Sequence, residues 1–304
     1  MKELVVEHDG LRIAALDYGG DGEPLLLLHP NGFCAGIFDP LARRLTDRFR
    51  PIAVDLRGHG GTDAPPGDAA DFAFARMADD VWAVLDELGV STLVALGESL
   101  GGGVAALVDA ARPGAVRRLM LCEAIAFDLD LVAPRPPGQP GDGGNFMATL
   151  ARKRRNVWPD RETVRASYGS RPPLDVLEPE ALDAYVRWGF VDRPDGQVEL
   201  ACAPEVEATI FEVSSHDQGA RAAWQRLDEL AGTAVVLHGD TSNLPLDWFV
   251  AQAARLGGEH VEGCSASVGR PHRLAIGPDA APLPGDGGHE VPTVTRLTRG
   301  SRGH

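Results

Sequence analysis

The four cysteines of this 304-residue chain, Cys34, Cys122, Cys202 and Cys264, stand far apart, with no Cys-x-x-Cys pair. That spacing argues against a disulfide framework and a zinc knuckle, and leaves free, mostly buried thiols as the expectation. No apolar run approaches the ~20 residues of a membrane span. The first stretch, Met1 to Gly10, holds no apolar segment of signal-peptide length. The expected setting is the cytoplasm. Basic residues are scarce: 29 Lys and Arg against 44 Asp and Glu give a net charge of −15, which repels nucleic-acid backbones and anionic membrane surfaces alike. Neither is expected as a partner, which leaves a small molecule. The nine histidines show no His-x-His or His-x-x-x-His spacing, so no metal is expected. No Gly-x-x-x-x-Gly-Lys stretch offers to cradle a nucleotide phosphate, and no cofactor is expected.

What is present suits a globular protein with a full core: 44% of residues are hydrophobic and 24% charged. Up to about residue 122, short apolar runs alternate with amphipathic stretches, the pattern of a sheet whose strands are joined by helices. Strands are expected at Leu4 to Glu7, Arg12 to Tyr18, Pro24 to Leu28, Pro51 to Asp55, Thr92 to Leu96 and Leu119 to Cys122. Helices are expected at Met77 to Leu88 and Gly101 to Ala111. Runs such as Leu25-Leu26-Leu27-Leu28 lack alternation, as central strands covered on both faces do. The fold class is therefore α/β, a mostly parallel central sheet flanked by helices.

The texture changes between Ile125 and Leu230. A Pro/Gly-rich segment, Ala133 to Asn145, precedes helix-like stretches at Phe146 to Val157, Asp160 to Tyr168, Pro179 to Phe190, Glu205 to Val213 and Gln218 to Leu230, with no convincing buried strand. The strand pattern resumes at Ala234 to His238, followed by a helix from Leu246 to Leu256 and a short strand around His260-Val261. We divide the chain into a first core part (1–125), a helical cap insertion (126–230), a second core part (231–280) and a tail expected to be disordered (281–304). The stretch from Ser265 to His304, with 7 Gly and 5 Pro, shows no amphipathic helix.

The strongest local signal is Leu93-Val94-Ala95-Leu96 running into Gly97-Glu98-Ser99-Leu100-Gly101-Gly102-Gly103 and an Ala/Val-rich helical stretch. A sharp turn from a buried strand into a helix strains the backbone at its apex and exposes the side chain there, while small residues on either side allow tight packing. Ser99 occupies that apex as a candidate nucleophile. The Leu100 N–H, at the N-terminus of the following helix, is a natural half of an oxyanion hole.

Two further turns follow strands: His29-Pro30-Asn31-Gly32-Phe33 and Asp55-Leu56-Arg57-Gly58-His59-Gly60-Gly61-Thr62-Asp63. In this order and spacing the three motifs resemble the α/β-hydrolase family, most clearly over residues 12–125. The first is similar to its His-Gly oxyanion turn, in a His-x-Asn-Gly-Phe variant, and the second to its Asp-x-Arg-Gly-His-Gly turn. The resemblance implies that Asn31 supplies the second oxyanion N–H, with Gly32 as the neighbouring alternative, and that a helical cap covers the site. His29 and His59 are read as structural. A serine nucleophile needs a base and an orienting carboxylate, in the family order serine, acid, histidine. After the seventh strand the usual acid position holds Ser242, with Asp240 out of register; some relatives place the acid after the sixth strand, where this chain has Glu123. Glu123 is the preferred acid and Asp240 the alternative. For the base, His272, before a downstream proline, ranks ahead of His289 and His260.

The resulting expectation is a serine hydrolase that cleaves a small, fairly apolar ester or related acyl compound through an acyl-enzyme. Carbon–carbon bond hydrolysis and acyl transfer use the same parts, and a non-catalytic ligand-binding relative with a degenerate triad is the rival from another class. The basic run Arg152-Lys153-Arg154-Arg155 is read as a solvated helix face. Most of Trp158, Tyr168, Tyr185, Trp188, Phe190, Phe211 and Trp224 are read as packing core.

Overall fold

The computed structural model describes residues 1–130, 145–230, 232–239, 242, 244–257, 259–262 and 294–296, the last two stretches through their backbone. The chain begins with β1 (Lys2–His8), β2 (Leu11–Asp17), β3 (Glu23–Leu28), α1 (Asp39–Leu45), β4 (Phe49–Val54), α2 (Phe74–Glu87), β5 (Leu93–Glu98), α3 (Leu100–Ala111) and β6 (Val116–Cys122). It then makes a long excursion through α4 (Phe146–Arg152), β7 (Val157–Trp158), α5 (Arg161–Tyr168), α6 (Pro179–Trp188), β8 (Phe190–Asp192), β9 (Val198–Leu200), α7 (Pro204–Ser214) and α8 (Ala222–Arg226). It returns through β10 (Thr233–His238), α9 (Leu246–Leu256), β11 (Glu259–Glu262) and β12 (Val294–Arg296).

One nine-stranded sheet takes the order β1-β2-β4-β3-β5-β6-β10-β11-β12. It is parallel from β4 to β11 and antiparallel at its two margins. The unalternating leucines of β3 have the physical meaning expected of them. Leu26 and Leu28 pack with α2 and α3 on one face, whereas Leu25 and Leu27 pack with α1, α5 and α6 on the other, so all four leucines are buried. On α2 the apolar spacing puts Met77, Val81, Val84 and Leu85 in that first cluster.

The segment between β6 and β10 is not helical throughout. β7, β9 and β8 form a small antiparallel sheet, and the helix expected from Phe146 to Val157 ends at Arg152, with Val157 in β7 instead. Strands of two and three residues are too short to show a period. The helix expected from Gln218 to Leu230 is broken: a π-helical turn at Asp217–Arg221 contains Gly219 with φ −109° and ψ −114°, and only Ala222–Arg226 is α-helical. In the stretch expected to be a disordered tail, Val294–Arg296 pair antiparallel with β11, again too few residues to leave a pattern. Among the described residues no helix is long and apolar enough to cross a membrane.

Candidate active site

β5 delivers Ser99 to the carboxyl edge of the sheet between β3 and β6. Ser99 adopts φ 52° and ψ −116°, a conformation that costs free energy for a residue with a side chain and persists only where its surroundings enforce it. They do so here: Ser99 N–H donates to Cys122 O at 2.8 Å, and Ser99 O accepts from Gly102, Gly103 and Ile125 N–H at 3.0, 3.2 and 2.9 Å. The glycines are dictated by close approach. A Cβ on Gly97 would meet the Gly101 carbonyl, and one on Gly101 the Leu28 carbonyl at the end of β3. That second contact brings the start of α3 against the turn that follows β3.

In that turn, His29 Nδ1–H donates to Pro30 O at 2.8 Å and His29 Nε2 accepts Leu56 N–H at 3.0 Å. His59 Nδ1 lies 3.0 Å from Arg57 O, and its Nε2 faces both Gly32 N–H at 3.0 Å and Asn31 Oδ1 at 3.1 Å. The partners of His29 assign its tautomer. Burial pushes His59 down to about 4 and, with His59 beside it, His29 well below the usual imidazole value. Both are neutral braces with both ring nitrogens in use. Because Gly32 N–H is committed to His59, Asn31 is the better placed of the two amides proposed for the oxyanion. Asp55 ties the two loops together, accepting from Ala35 N–H at 2.6 Å and Gly61 N–H at 2.9 Å.

Glu123 follows β6 with φ 47°. Its amide donates to Leu237 O at 2.9 Å, and its Oε1 accepts Gly239 N–H, also at 2.9 Å. The carboxylate therefore stands at the carboxyl ends of β6 and β10, one strand over from Ser99. The buried Gln252 of α9 fixes this loop by donating to Ala124 O at 2.8 Å. Asp240, His272 and His289 lie outside the described residues, and His260 is placed only as part of the β11 backbone. The structure thus brings together Ser99, Leu100, Asn31 and Glu123 along one sheet edge.

In the basic run Arg152, Lys153 and Arg155 are exposed, as expected of a solvated face, and Arg154 departs from it. Arg152 ends α4 and pairs with Glu205 and Glu212 of α7, and Arg155 lies over the Trp158 ring at 4.5 Å. Arg154 turns inward to an ion pair with Glu207, their side chains 22% and 9% exposed, and donates to Tyr185 Oη at 2.8 Å. Sequence reading missed this group because Glu207 and Tyr185 lie 53 and 31 positions away from Arg154. Of the aromatic residues of the inserted segment, Trp158, Tyr185 and Phe190 belong to the core cluster below the sheet's second face. Phe211 packs on Ala148, Ala151 and Ala208. A cleft of about 340 Å³ opens among Ala69, Leu129, Val213 and Ser215 to Gln218.

A parallel sheet that carries a strained serine at a strand-to-helix turn, braced by two loops on the same edge, defines an α/β protein of hydrolase architecture. The family model for the alpha/beta hydrolase fold matches residues 23–241, and the chain belongs to that family. It is 35% identical over 120 residues to an uncharacterised protein of Mycobacterium tuberculosis, covering 39% of this chain and 34% of that protein. It is 31% identical over 185 residues to a bifunctional esterase/perhydrolase of Acinetobacter calcoaceticus (59% and 65%), and 29% identical over 174 residues to 2-(acetamidomethylene)succinate hydrolase of Mesorhizobium japonicum (54% and 61%). The matches thus span between a third and two thirds of these relatives' lengths. Among solved structures, the thioesterase domain from the curacin biosynthetic pathway shares the fold with a TM-score of 0.70 at 17% identity, over 88% of this chain and 94% of that one.

Proposed function

We propose that the protein is a serine hydrolase acting on a small, fairly apolar ester or related acyl compound through an acyl-enzyme. The observation that carries this reading is the backbone of Ser99: positive φ at the apex of a buried strand and a helix N-terminus, held by four hydrogen bonds. Strain of that kind, enforced from both sides, serves to present one side chain. Ser99 Oγ attacks the acyl carbon as His272 takes its proton. The negative oxygen of the tetrahedral intermediate is held by the Leu100 and Asn31 N–H groups, aided by the positive end of α3. Collapse breaks the acyl–oxygen bond, and the leaving alcohol takes the proton back from His272. Water, deprotonated by the same imidazole, then attacks the acyl carbon, and the acyl–serine bond breaks as the imidazolium returns the proton to Ser99 Oγ. Glu123 orients the histidine, and the segment between β6 and β10 acts as the cap that shapes the acyl site. The esterase/perhydrolase similarity agrees with this chemistry.

The test is turnover of short-chain p-nitrophenyl esters by wild type, Ser99→Ala and His272→Ala, with folding checked by circular dichroism. We expect kcat to fall at least about 10³-fold in both variants. A loss confined to Ser99→Ala moves the base to another histidine. A folded wild type that neither turns over esters nor is labelled at Ser99 by a phosphonate overturns the hydrolase reading.

A further inference from the structure

The turn carrying Asn31 is held not only by the core but by the inserted segment. Asn31 Nδ2 donates to the backbone carbonyl of Glu207, on α7, at 2.9 Å. Tyr185, on α6 and 1% exposed, donates its hydroxyl to Gly32 O at 2.8 Å. Arg154 joins these two supports, pairing with the Glu207 carboxylate while donating to Tyr185 Oη at 2.8 Å and Tyr168 Oη at 3.4 Å. Gly32 lies directly beneath the pair. It has φ +77°, and a Cβ there would come within 2.6 Å of Glu207 Oε1 and 2.9 Å of Arg154 Nη1. With Gly32 N–H already donated to His59, both polar atoms of the Gly32 backbone and the Asn31 side-chain amide are fixed.

A mostly buried ion pair is a poor way to gain stability, since desolvation offsets most of its attraction, and apolar replacements of similar size are often neutral. What the pair supplies better than apolar packing is direction: a planar guanidinium bridging a carboxylate and a phenol fixes where each can sit. An oxyanion donor acts only when aimed at the point where charge develops, and a small misplacement is costly in rate.

We propose that Arg154, Glu207 and Tyr185 are positioning residues that aim the Asn31 amide at the oxyanion, so that the inserted segment completes the oxyanion hole. This rests on the reading of Asn31 as an oxyanion donor given above. Two variants test it, Tyr185→Phe and the double variant Arg154→Met/Glu207→Leu, each measured for p-nitrophenyl ester kcat and KM, for inhibition by phenylboronic acid, whose adduct with Ser99 is tetrahedral and anionic, and for thermal midpoint.

We expect kcat to fall about 10-fold in Tyr185→Phe and roughly 10- to 100-fold in the double variant, with KM within about twofold of wild type. Boronate affinity should weaken in parallel with kcat, and the thermal midpoint of the double variant should stay near that of wild type. Retention of kcat and boronate affinity in Tyr185→Phe, or a drop in thermal midpoint with kcat intact in the double variant, overturns the inference and leaves the hydrolase reading standing. Absence of Ser99-dependent turnover in wild type overturns both. If the double variant does not fold, Tyr185→Phe, which loses one hydroxyl, decides alone.

Discussion

At the scale of single residues, the loops beside Ser99 hold titratable groups whose protonation is shifted by burial. His59, pushed down to about 4 by burial, and His29, lower than usual for the same reason, bind protons less readily in the folded chain than at the ordinary value of 6.5. Where the unfolded chain holds more protons, stability rises with pH, so these two residues make the fold less stable as pH drops from 6.5 toward 4. Asp55 works in the opposite direction. Burial, against the pull of the Gly61 and Ala35 amides, pushes it up to about 6 from 3.8, so the folded carboxyl is protonated first and acidification through that window favours the fold. We expect Asp55→Asn to lower the thermal midpoint overall and to steepen its decline between pH 6 and 4, because the opposing contribution is gone. Parallel slopes for variant and wild type would show that Asp55 does not titrate there. None of these shifts is written in the sequence: His29, Asp55 and His59 could be marked as turn residues, but their protonation follows from burial that only the packed loops create.

At the scale of elements, the strand–turn–helix unit was the most legible part of the chain, because β5, Ser99 and α3 are contiguous and each glycine has a local reason. Gly101 sets how closely α3 approaches β3. We expect Gly101→Ala, whose Cβ would press on the Leu28 carbonyl, to destabilise the protein by about 1–3 kcal/mol in urea denaturation. Unchanged stability would mean that the contact relaxes without cost. The strands β1 to β6 could be read from short apolar runs and the apolar face of α2 from its period, whereas β12 left no pattern. Elements that depend on distant partners could not: β7, β8 and β9 exist only as a set, and Arg154 reads as a surface charge until Glu207 and Tyr185 are brought to it. Likewise Glu123 could be placed at a strand end from sequence, while its bond to Gly239 N–H required β10 beside β6.

At the scale of the molecule, distant parts of the first half are fastened by one buried cation. Arg57, 2% exposed, pairs with Asp80 of α2, and also reaches Asp71 O at 3.0 Å and Asp9, between β1 and β2, at 3.3 Å. Asp80→Asn leaves that guanidinium without its buried counter-charge, and we expect a loss of about 3–5 kcal/mol in urea unfolding. A loss below about 1 kcal/mol would show that Asp9 and the Asp71 carbonyl suffice. The pairing of β6 with β10 joins Cys122 to Leu237, neighbours in the sheet with about 110 residues of chain between their strands. The equilibrium cost of so long a detour is small, since closure entropy grows only logarithmically with length. Its cost in time is larger. During synthesis at roughly 5–20 residues per second, the edge of β6 waits on the order of 5–20 s for its partner, an open template for another nascent chain. The detour through the inserted segment thus also sets the interval in which this protein is most exposed to aggregation.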